Sequence, residues 1–206
     1  MRPNSRMACE VFLFMQPNDP NRTERMMSKE TMQSRETPQI SCPLIVSYSY
    51  SGNTHRIAQR IQQVTGGNWC EIHPWQPYPM AFPELLKQVK REIQSGYHPR
   101  LLPGPCSPRP YPVIFVGSPN WCGTIAPPLA SWLYKNNLDG KIIVPFYSHC
   151  GGVSGDLRGN IAKLCPKADV RAALCVLDDG GEHLTEILQR WFVKTGIVNY
   201  IMGCAG

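Results

Sequence analysis

The chain has 206 residues, of which 42% are hydrophobic and 17% are charged, and its formal net charge at pH 7 is +6. This length and composition indicate a globular protein with one ordinary α/β domain, or such a domain with a tail. No apolar run approaches the roughly 20 residues that a membrane-spanning helix needs, and no basic patch is interleaved with aromatic residues, so we expect a soluble protein that binds no nucleic acid.

The first 41 residues differ from the rest of the chain. They contain six of the eight methionines, and residues 16–39 are polar without a sustained apolar period. Such a segment can bury little surface, so we expect residues 1–41 to form a disordered or loosely attached tail and residues 42–206 to form the folded domain. The apolar run at 10–15 is short and lacks a convincing cleavage site, which favours a tail or an upstream start codon over an export signal.

Short apolar segments alternate with amphipathic ones from Leu44 onward. We expect strands at 44–48, 69–73, 113–117, 142–147 and 172–177. We expect helices at 54–64, 83–95, 125–135, 154–164 and 182–195. Five short strands separated by helices predict a parallel sheet with right-handed crossovers and helices on both faces, which is a doubly wound α/β fold.

The turn after the first strand, residues 49–54, reads Ser-Tyr-Ser-Gly-Asn-Thr and leads into a helix. At the positive end of a helix dipole, backbone N–H groups and the hydroxyls of this turn can bind a phosphate, and glycine allows a close approach. The turn has no lysine and neither the Walker nor the G-x-G-x-x-G spacing, so a Mg-nucleotide or a Rossmann-type dinucleotide fits poorly. A monophosphate held by neutral donors fits better, and the alternative is a plain N-cap by Ser51 or Thr54.

The pattern S-x-S-G-N-T directly after an apolar strand resembles the phosphate loop of flavodoxin-like proteins, whose cofactor is FMN. The resemblance extends in order and spacing from Pro43 to about Gly196. It implies the flavodoxin strand order 2-1-3-4-5 and a ligand at the carboxyl ends of the strands, beside the switch point between strands one and three.

A second loop, residues 117–124, reads G-S-P-N-W-C-G-T. It resembles the family's G-x-P-x-W-W-G-T, with Cys122 in place of the second tryptophan. The resemblance implies that Trp121 stacks on the flavin ring. The alternative is an indole folded back onto the helix that begins near Ile125.

A third loop, residues 148–152, reads Ser-His-Cys-Gly-Gly, where the family's loop resembles T-H-G-G or T-S-G-G. The resemblance implies backbone N–H groups that face the pyrimidine side of the flavin, where donors near N1 and C2=O stabilise the reduced anion. His149 is placed to contact flavin or substrate. Cys150 replaces a glycine and would be strained if its position needs a positive φ.

The three loops together imply a set of FMN contacts in which no side chain acts as acid or base and no metal takes part. The expected cofactor-binding residues are Ser49, Ser51, Gly52, Asn53, Thr54, Pro119, Asn120, Trp121, Gly123, Ser148, His149, Gly151 and Gly152.

The nine cysteines are odd in number and contain no C-x-x-C, which indicates neither a disulfide framework nor a zinc site. A reduced, cytoplasmic setting follows. Cys70 and Cys175 lie within expected strands and are interpreted as small core hydrophobes. Cys122 and Cys150 lie on loops that should meet at the flavin, so a redox-active thiol there is a hypothesis, with chance small loop residues as its rival.

Residues 43–206 carry fifteen Lys and Arg and ten Asp and Glu, a net charge of +5. Small electron carriers of the flavodoxin fold are typically acidic, so a basic domain disfavours that role. It favours an anionic substrate such as NAD(P)H or a quinol-type acceptor, or it is merely a solvated basic surface.

These observations lead to three hypotheses of function. The first is an FMN-dependent oxidoreductase that takes a hydride or electrons from a reduced nicotinamide or a partner protein and passes them to a quinone-like or other small acceptor. The second is a non-enzymatic electron carrier that serves a reductase. The third is a degenerate binding module that keeps the fold without the flavin, which the two loop cysteines suggest.

Overall fold

Seven strands and six α-helices are present in the residues that the computed structural model describes, which are 42–104, 107–151 and 155–201. The strands are β1 (Leu44–Ser47), β2 (Asn68–Glu71), β3 (Val113–Trp121), β4 (Thr124–Ile125), β5 (Ile142–His149), β6 (Asp169–Val170) and β7 (Leu174–Leu177). The helices are α1 (Asn53–Thr65), α2 (Phe82–Ser95), α3 (Pro127–Lys135), α4 (Leu157–Leu164), α5 (Leu184–Thr195) and α6 (Val198–Ile201), with a 3-10 turn at Gly181–His183. The tail expected at 1–41 and the expected FMN contact Gly152 lie outside the described residues.

The sheet follows the expected doubly wound topology. β1 pairs in parallel with β2 and β3, and β3 pairs in parallel with β5. β6 pairs with the start of β5 and β7 with its end, so these two strands are halves of one edge strand interrupted at residues 171–173. The order is β2-β1-β3-β5 and then this split edge. It is the predicted 2-1-3-4-5 order, which is confirmed.

Both sides of the sheet are buried, because alternate residues of a strand face opposite sides. Ile45 faces the side that α1 and α5 cover. Leu44 and Val46 face the side that α2, α3 and α4 cover. The central strands therefore consist of almost continuous apolar residues, as strands of a doubly covered parallel sheet do.

Two adjoining strands approach closely at Gly117 on β3. A Cβ at this position would lie 2.2 Å from Cζ of Phe146 on β5. Only glycine therefore allows the Phe146 ring to pack against the middle of the sheet.

The segment expected as a second loop is instead a β-hairpin. β3 does not end at Gly117 but continues to Trp121, because Ser118 and Pro119 still pair with β5 and the next two residues pair with β4. The helix expected from Ile125 begins at Pro127 for the same reason. The other element boundaries coincide with the expected ones or differ from them by at most three residues.

Two interpretations of strand cysteines need correction. Cys175 is exposed, because side chains alternate along β7 and Leu174 and Val176 take the buried positions. Cys70 is buried as expected, but it is disulfide-bonded. This bond departs from the expectation of a chain without disulfides.

Membrane insertion through a helix finds no support in the described part of the chain. None of its helices combines the length and the hydropathy that crossing a bilayer requires.

Candidate functional site

The first loop ends at the start of a helix that no side chain caps. The chain turns at Gly52, which has a φ of 92°, and α1 begins at Asn53. No side chain caps this helix end, and its first turn contains no acidic residue. The first amides of α1 have no intrahelical acceptor, and they lie at the positive end of the helix dipole, where an anion is stabilised. The alternative of a plain N-cap by Ser51 or Thr54 is therefore wrong.

The three hydroxyls of the first loop have different surroundings. Ser49 Oγ accepts a hydrogen bond from the Gly52 amide at 3.2 Å and so shapes the turn. Thr54 is buried, and its Oγ1 lies 2.8 Å from Ser148 Oγ at the end of β5. Ser51 is exposed. Of the three, Ser51 is the hydroxyl that is open to a ligand, and Thr54 joins α1 to the third loop.

The second loop turns through only two residues, Cys122 and Gly123. Their φ angles are 53° and 81°, and positive φ at both central positions is the requirement of a type I′ hairpin turn. Asn120 Oδ1 accepts a hydrogen bond from the Gly123 amide at 3.0 Å and closes the turn. The backbone strain expected at Cys150 is absent, because Cys150 has no positive φ, and the strained cysteine is Cys122.

Trp121, which directly precedes this turn, is half-buried among three tyrosines. Its ring centroid lies 5.6 Å from that of Tyr48, 5.7 Å from Tyr50 and 5.0 Å from Tyr78. The interplanar angles lie between 71° and 81°, the edge-to-face arrangement that aromatic pairs prefer. These contacts hold the indole in one place.

The third loop folds back on itself after β5. The Gly151 amide donates to His149 Nδ1 at 3.2 Å, and the Asp178 amide donates to the His149 carbonyl at 2.7 Å. The Gly151 N–H, expected to face the pyrimidine side of a flavin, is thus directed at the imidazole. Ser148 is buried and His149 is half-buried.

The three segments surround a cavity of about 470 Å³, within the usual size range of a small-molecule site. Eight of the expected cofactor-binding residues line it: Ser51, Pro119, Asn120, Trp121, Gly123, Ser148, His149 and Gly151. Four others form the adjoining turn and helix start without lining it: Ser49, Gly52, Asn53 and Thr54. The structure therefore brings the expected residues to one place, with Gly152 outside its described part.

Seven further residues line the cavity: Tyr50, Phe82, Leu85, Leu86, Val89, Cys122 and Cys150. The four from α2 were missed from the sequence, because apolar residues at helical spacing have the pattern of an ordinary core stripe. No motif distinguishes a stripe that faces a cavity from one that faces the sheet.

Comparison with known proteins agrees with this geometry. A family model described as Flavodoxin (Flavodoxin_4) matches residues 43–195. The chain belongs to this flavodoxin family. No curated protein sequence matches the chain.

Solved structures share the flavodoxin fold with this chain at low sequence identity. A protein from Bacteroides eggerthii DSM 20697 with a provisional flavoprotein assignment superposes with a TM-score of 0.66 and 22% identity, over 75% of this chain and 97% of that chain. A flavoprotein in complex with FMN from Lactobacillus acidophilus NCFM superposes with a TM-score of 0.58 and 19% identity, over 72% of this chain and 97% of that one.

In this flavodoxin-family chain, one of the tyrosines that contact Trp121 also binds a buried carboxylate. The Tyr78 hydroxyl donates to Glu92 Oε2, and the Gln88 side-chain amide donates to Glu92 Oε1 at 2.9 Å. Burial, reinforced by the hydrogen bond to Glu92, raises the pKa of Tyr78 far above its ordinary value. Burial likewise raises the pKa of Tyr48. Both phenols therefore remain neutral at physiological pH, and Tyr78 serves as a hydrogen-bond donor.

Cys150, one of the two cysteines of the cavity, differs in chemistry from an activated thiol. Burial, together with a hydrogen bond to Asp178, raises the pKa of Cys150, which lowers its thiolate fraction. In the described residues, no group of three or more His, Cys, Asp or Glu could hold a metal ion. A redox-active thiol at Cys122 or Cys150 stays a hypothesis, and the raised pKa of Cys150 disfavours a nucleophilic role for it.

Proposed function

We propose that the chain is an FMN-dependent oxidoreductase, which takes a hydride or electrons from a reduced nicotinamide or a partner protein and passes them to a quinone-like or other small acceptor. The observation that carries this proposal is the uncapped start of α1 next to a cavity of about 470 Å³. A cofactor that joins a phosphate to a flat ring needs these two features side by side. Membership of the flavodoxin family and the FMN complex of the Lactobacillus acidophilus flavoprotein support the same cofactor.

The residues present fit FMN in charge and in polarity. The backbone amides of α1, Ser51 and Asn53 would hold the phosphate without a lysine. Trp121 would border the ring on one side, and Ser148 and His149 would border it on the other. FMN supplies the electron-transfer chemistry once bound. The protein residues orient the ring and exclude water from it.

A non-enzymatic electron carrier is the second candidate. Phe82 lines the cavity and is 70% exposed, and Met80 nearby in the chain is 90% exposed. Exposed apolar side chains beside a redox site suit the docking of a protein partner. The positive net charge weighs against this role, because it would repel the basic partners that acidic carriers attract.

The first experiment is an absorption spectrum of the purified chain after incubation with FMN and removal of free flavin. We expect retained visible flavin bands. A colourless protein would refute both candidates and leave a flavodoxin-fold module without flavin.

The phosphate contact is tested by the isosteric variant Asn53→Asp, which places a carboxylate in the first turn of α1. We expect FMN affinity to fall by about tenfold, because the carboxylate repels the phosphate, and riboflavin affinity to stay unchanged. Gln59→Asp, at an exposed position further along α1, is the control with the same change of net charge. Equal losses for FMN and riboflavin would contradict this phosphate position.

Turnover then separates the enzyme from the carrier. Oxidation of NAD(P)H with a small quinone and no added protein supports the enzyme. If the quinone is reduced only when a reductase is added, whatever the quinone concentration, the result supports the carrier.

A further inference from the structure

One wall of the cavity consists of hydrocarbon alone. It is formed by four side chains of α2, Phe82, Leu85, Leu86 and Val89, which we name the α2 wall. Leu85 and Val89 are buried, Leu86 is half-buried and Phe82 is 70% exposed. The wall thus runs from the core to the surface and offers no side-chain hydrogen bond to a ligand.

The cavity as a whole carries no permanently charged side chain. Its fifteen lining residues, all in the described part of the chain, include no Lys, Arg, Asp or Glu. The basic excess of the domain therefore lies elsewhere on its surface. An anionic group that binds against the α2 wall would lose its hydration without gaining a cation, which is unfavourable.

The segment that leads to the exposed end of the α2 wall is hydrogen-bonded to the first loop. The Tyr50 hydroxyl donates to the Pro79 carbonyl at 2.7 Å, in the segment that leads directly to Phe82. The Tyr50 ring also contacts Trp121, with ring centroids 5.7 Å apart. Tyr50 therefore positions the start of α2 relative to the hairpin on the other side of the cavity.

We propose that the α2 wall is the acceptor subsite and that it selects a flat, uncharged, apolar acceptor of the quinone class over an anionic one. The proposal rests on the proposed function. A flavin ring carries polar atoms along its pyrimidine side, and these match the polar loop residues rather than hydrocarbon. The α2 wall is left for a ligand without charge.

The reaction at this subsite balances without a further reagent. The quinone gains two electrons and two protons and becomes a hydroquinone. FMN, when bound and reduced, would supply these two electrons and two protons, the protons directly or through solvent. The α2 wall takes no chemical part, and Phe82 and Leu86 only orient the acceptor.

The test compares a neutral naphthoquinone with the same ring carrying a sulfonate, using the full chain loaded with FMN. We expect kcat/KM to favour the neutral acceptor by about tenfold or more, because desolvation of the sulfonate is not compensated. Leu86→Lys supplies a cation and should reduce this preference by about tenfold, chiefly through KM. Val193→Lys, at an exposed position of α5 on the other side of the sheet, adds the same charge and should leave the preference unchanged.

A binding measurement stands beside turnover. The neutral quinone should perturb the visible spectrum of oxidised, FMN-loaded protein at lower concentration than the sulfonated quinone. In Leu86→Lys, the difference between these two concentrations should be smaller. In Leu86→Lys, the affinities for FMN and for riboflavin should stay within about threefold of those of the unaltered chain if the α2 wall does not hold the flavin. A comparable loss of both flavins would assign the wall to the ring and overturn the proposal. Retained FMN with equal rates for both acceptors would overturn it while leaving the proposed function intact.

Discussion

Among the described residues, the side of the sheet that α1 and α5 cover, here called the apolar side, buries no charged side chain. The side that α2, α3 and α4 cover, here called the polar side, buries the carboxylate of Glu92 together with the phenols of Tyr48 and Tyr78. On the first side, the buried hydroxyls of Thr65 and Thr195 donate to carbonyls of their own helices. On the second side, Tyr78 and Glu92 join the segment before α2 to α2 itself.

The difference follows the position of the cavity. Trp121 and the α2 wall belong to the second side, and Tyr78 contacts the Trp121 ring. An apolar core tolerates changes of contact partner, while a buried hydrogen bond fixes particular atoms, since an unpaired buried polar group is costly. We infer that the first side chiefly stabilises the fold. The second side stabilises the fold less and holds the Trp121 indole in one position.

The largest effect is expected on the apolar side, from Phe115→Ala. Phe115 is fully buried against Trp191 and Phe192, so its truncation should lower the free energy of unfolding by about 3–5 kcal/mol. Urea denaturation measures this loss. The FMN affinity of the folded fraction should not change. A selective loss of FMN binding would break the proposed division between the two sides.

The next effect is expected from Tyr78→Phe on the polar side. The change removes one of the two donors to a buried carboxylate and should cost about 2–3 kcal/mol of unfolding free energy. A double variant, Tyr78→Phe with Glu92→Leu, removes the carboxylate as well and tests whether the cost comes from the carboxylate that has lost a donor. Replacing both partners by apolar groups is close to neutral, so the double variant should be more stable than Tyr78→Phe alone. A double variant that is less stable would show that Glu92 contributes more than this hydrogen bond.

Alkaline pH should also affect the polar side, through Cys165. Burial raises the pKa of this thiol to about 11, so the folded chain holds the proton at pH values where the unfolded chain has lost it. The resulting stability is complete below about pH 9 and is lost as the pH rises towards 11. The loss should be on the order of 1–2 kcal/mol. Cys165→Ala removes it, so the difference in urea stability between the two chains should shrink across this range. A stability difference that stays constant with pH would contradict the expected direction of the pH dependence.

The Thr54–Ser148 pair is expected to contribute less, because a single neutral hydrogen bond is worth about 1 kcal/mol. Thr54→Val and Ser148→Ala each remove one hydroxyl of a pair separated by 2.8 Å. In a double-mutant cycle their coupling energy should be about 1 kcal/mol in stability. The same cycle measured on FMN affinity should also show coupling, because the pair connects the first loop to the third. Additive effects in both measurements would mean that the two loops act independently.

The pattern of the sequence was sufficient for the doubly wound sheet. The resemblance to flavodoxin-like proteins was needed for the strand order and for most of the loop residues that line the cavity. Strands such as Leu44–Ser47 have apolar runs that only a doubly covered sheet accommodates, and the turn before Asn53 has a recognisable helix-start pattern. The α2 wall could not be predicted, because Leu85 and Val89 have the same spacing whether a helix faces a cavity or a sheet. The role of Glu92 was equally hidden, since one carboxylate in an amphipathic helix is usually solvated.

The smallest expected effect concerns the hairpin that carries Trp121. Cys122 has a φ of 53°, a conformation that asparagine adopts more readily than cysteine, and Asn-Gly is the preferred pair for a type I′ turn. Cys122→Asn should therefore raise the free energy of unfolding by about 0.5 kcal/mol. Cys122→Val, with a β-branched side chain at the same position, should lower it. If the two variants do not differ, the turn is not under the strain that its φ angle indicates, and the indole must be held by its tyrosine contacts alone.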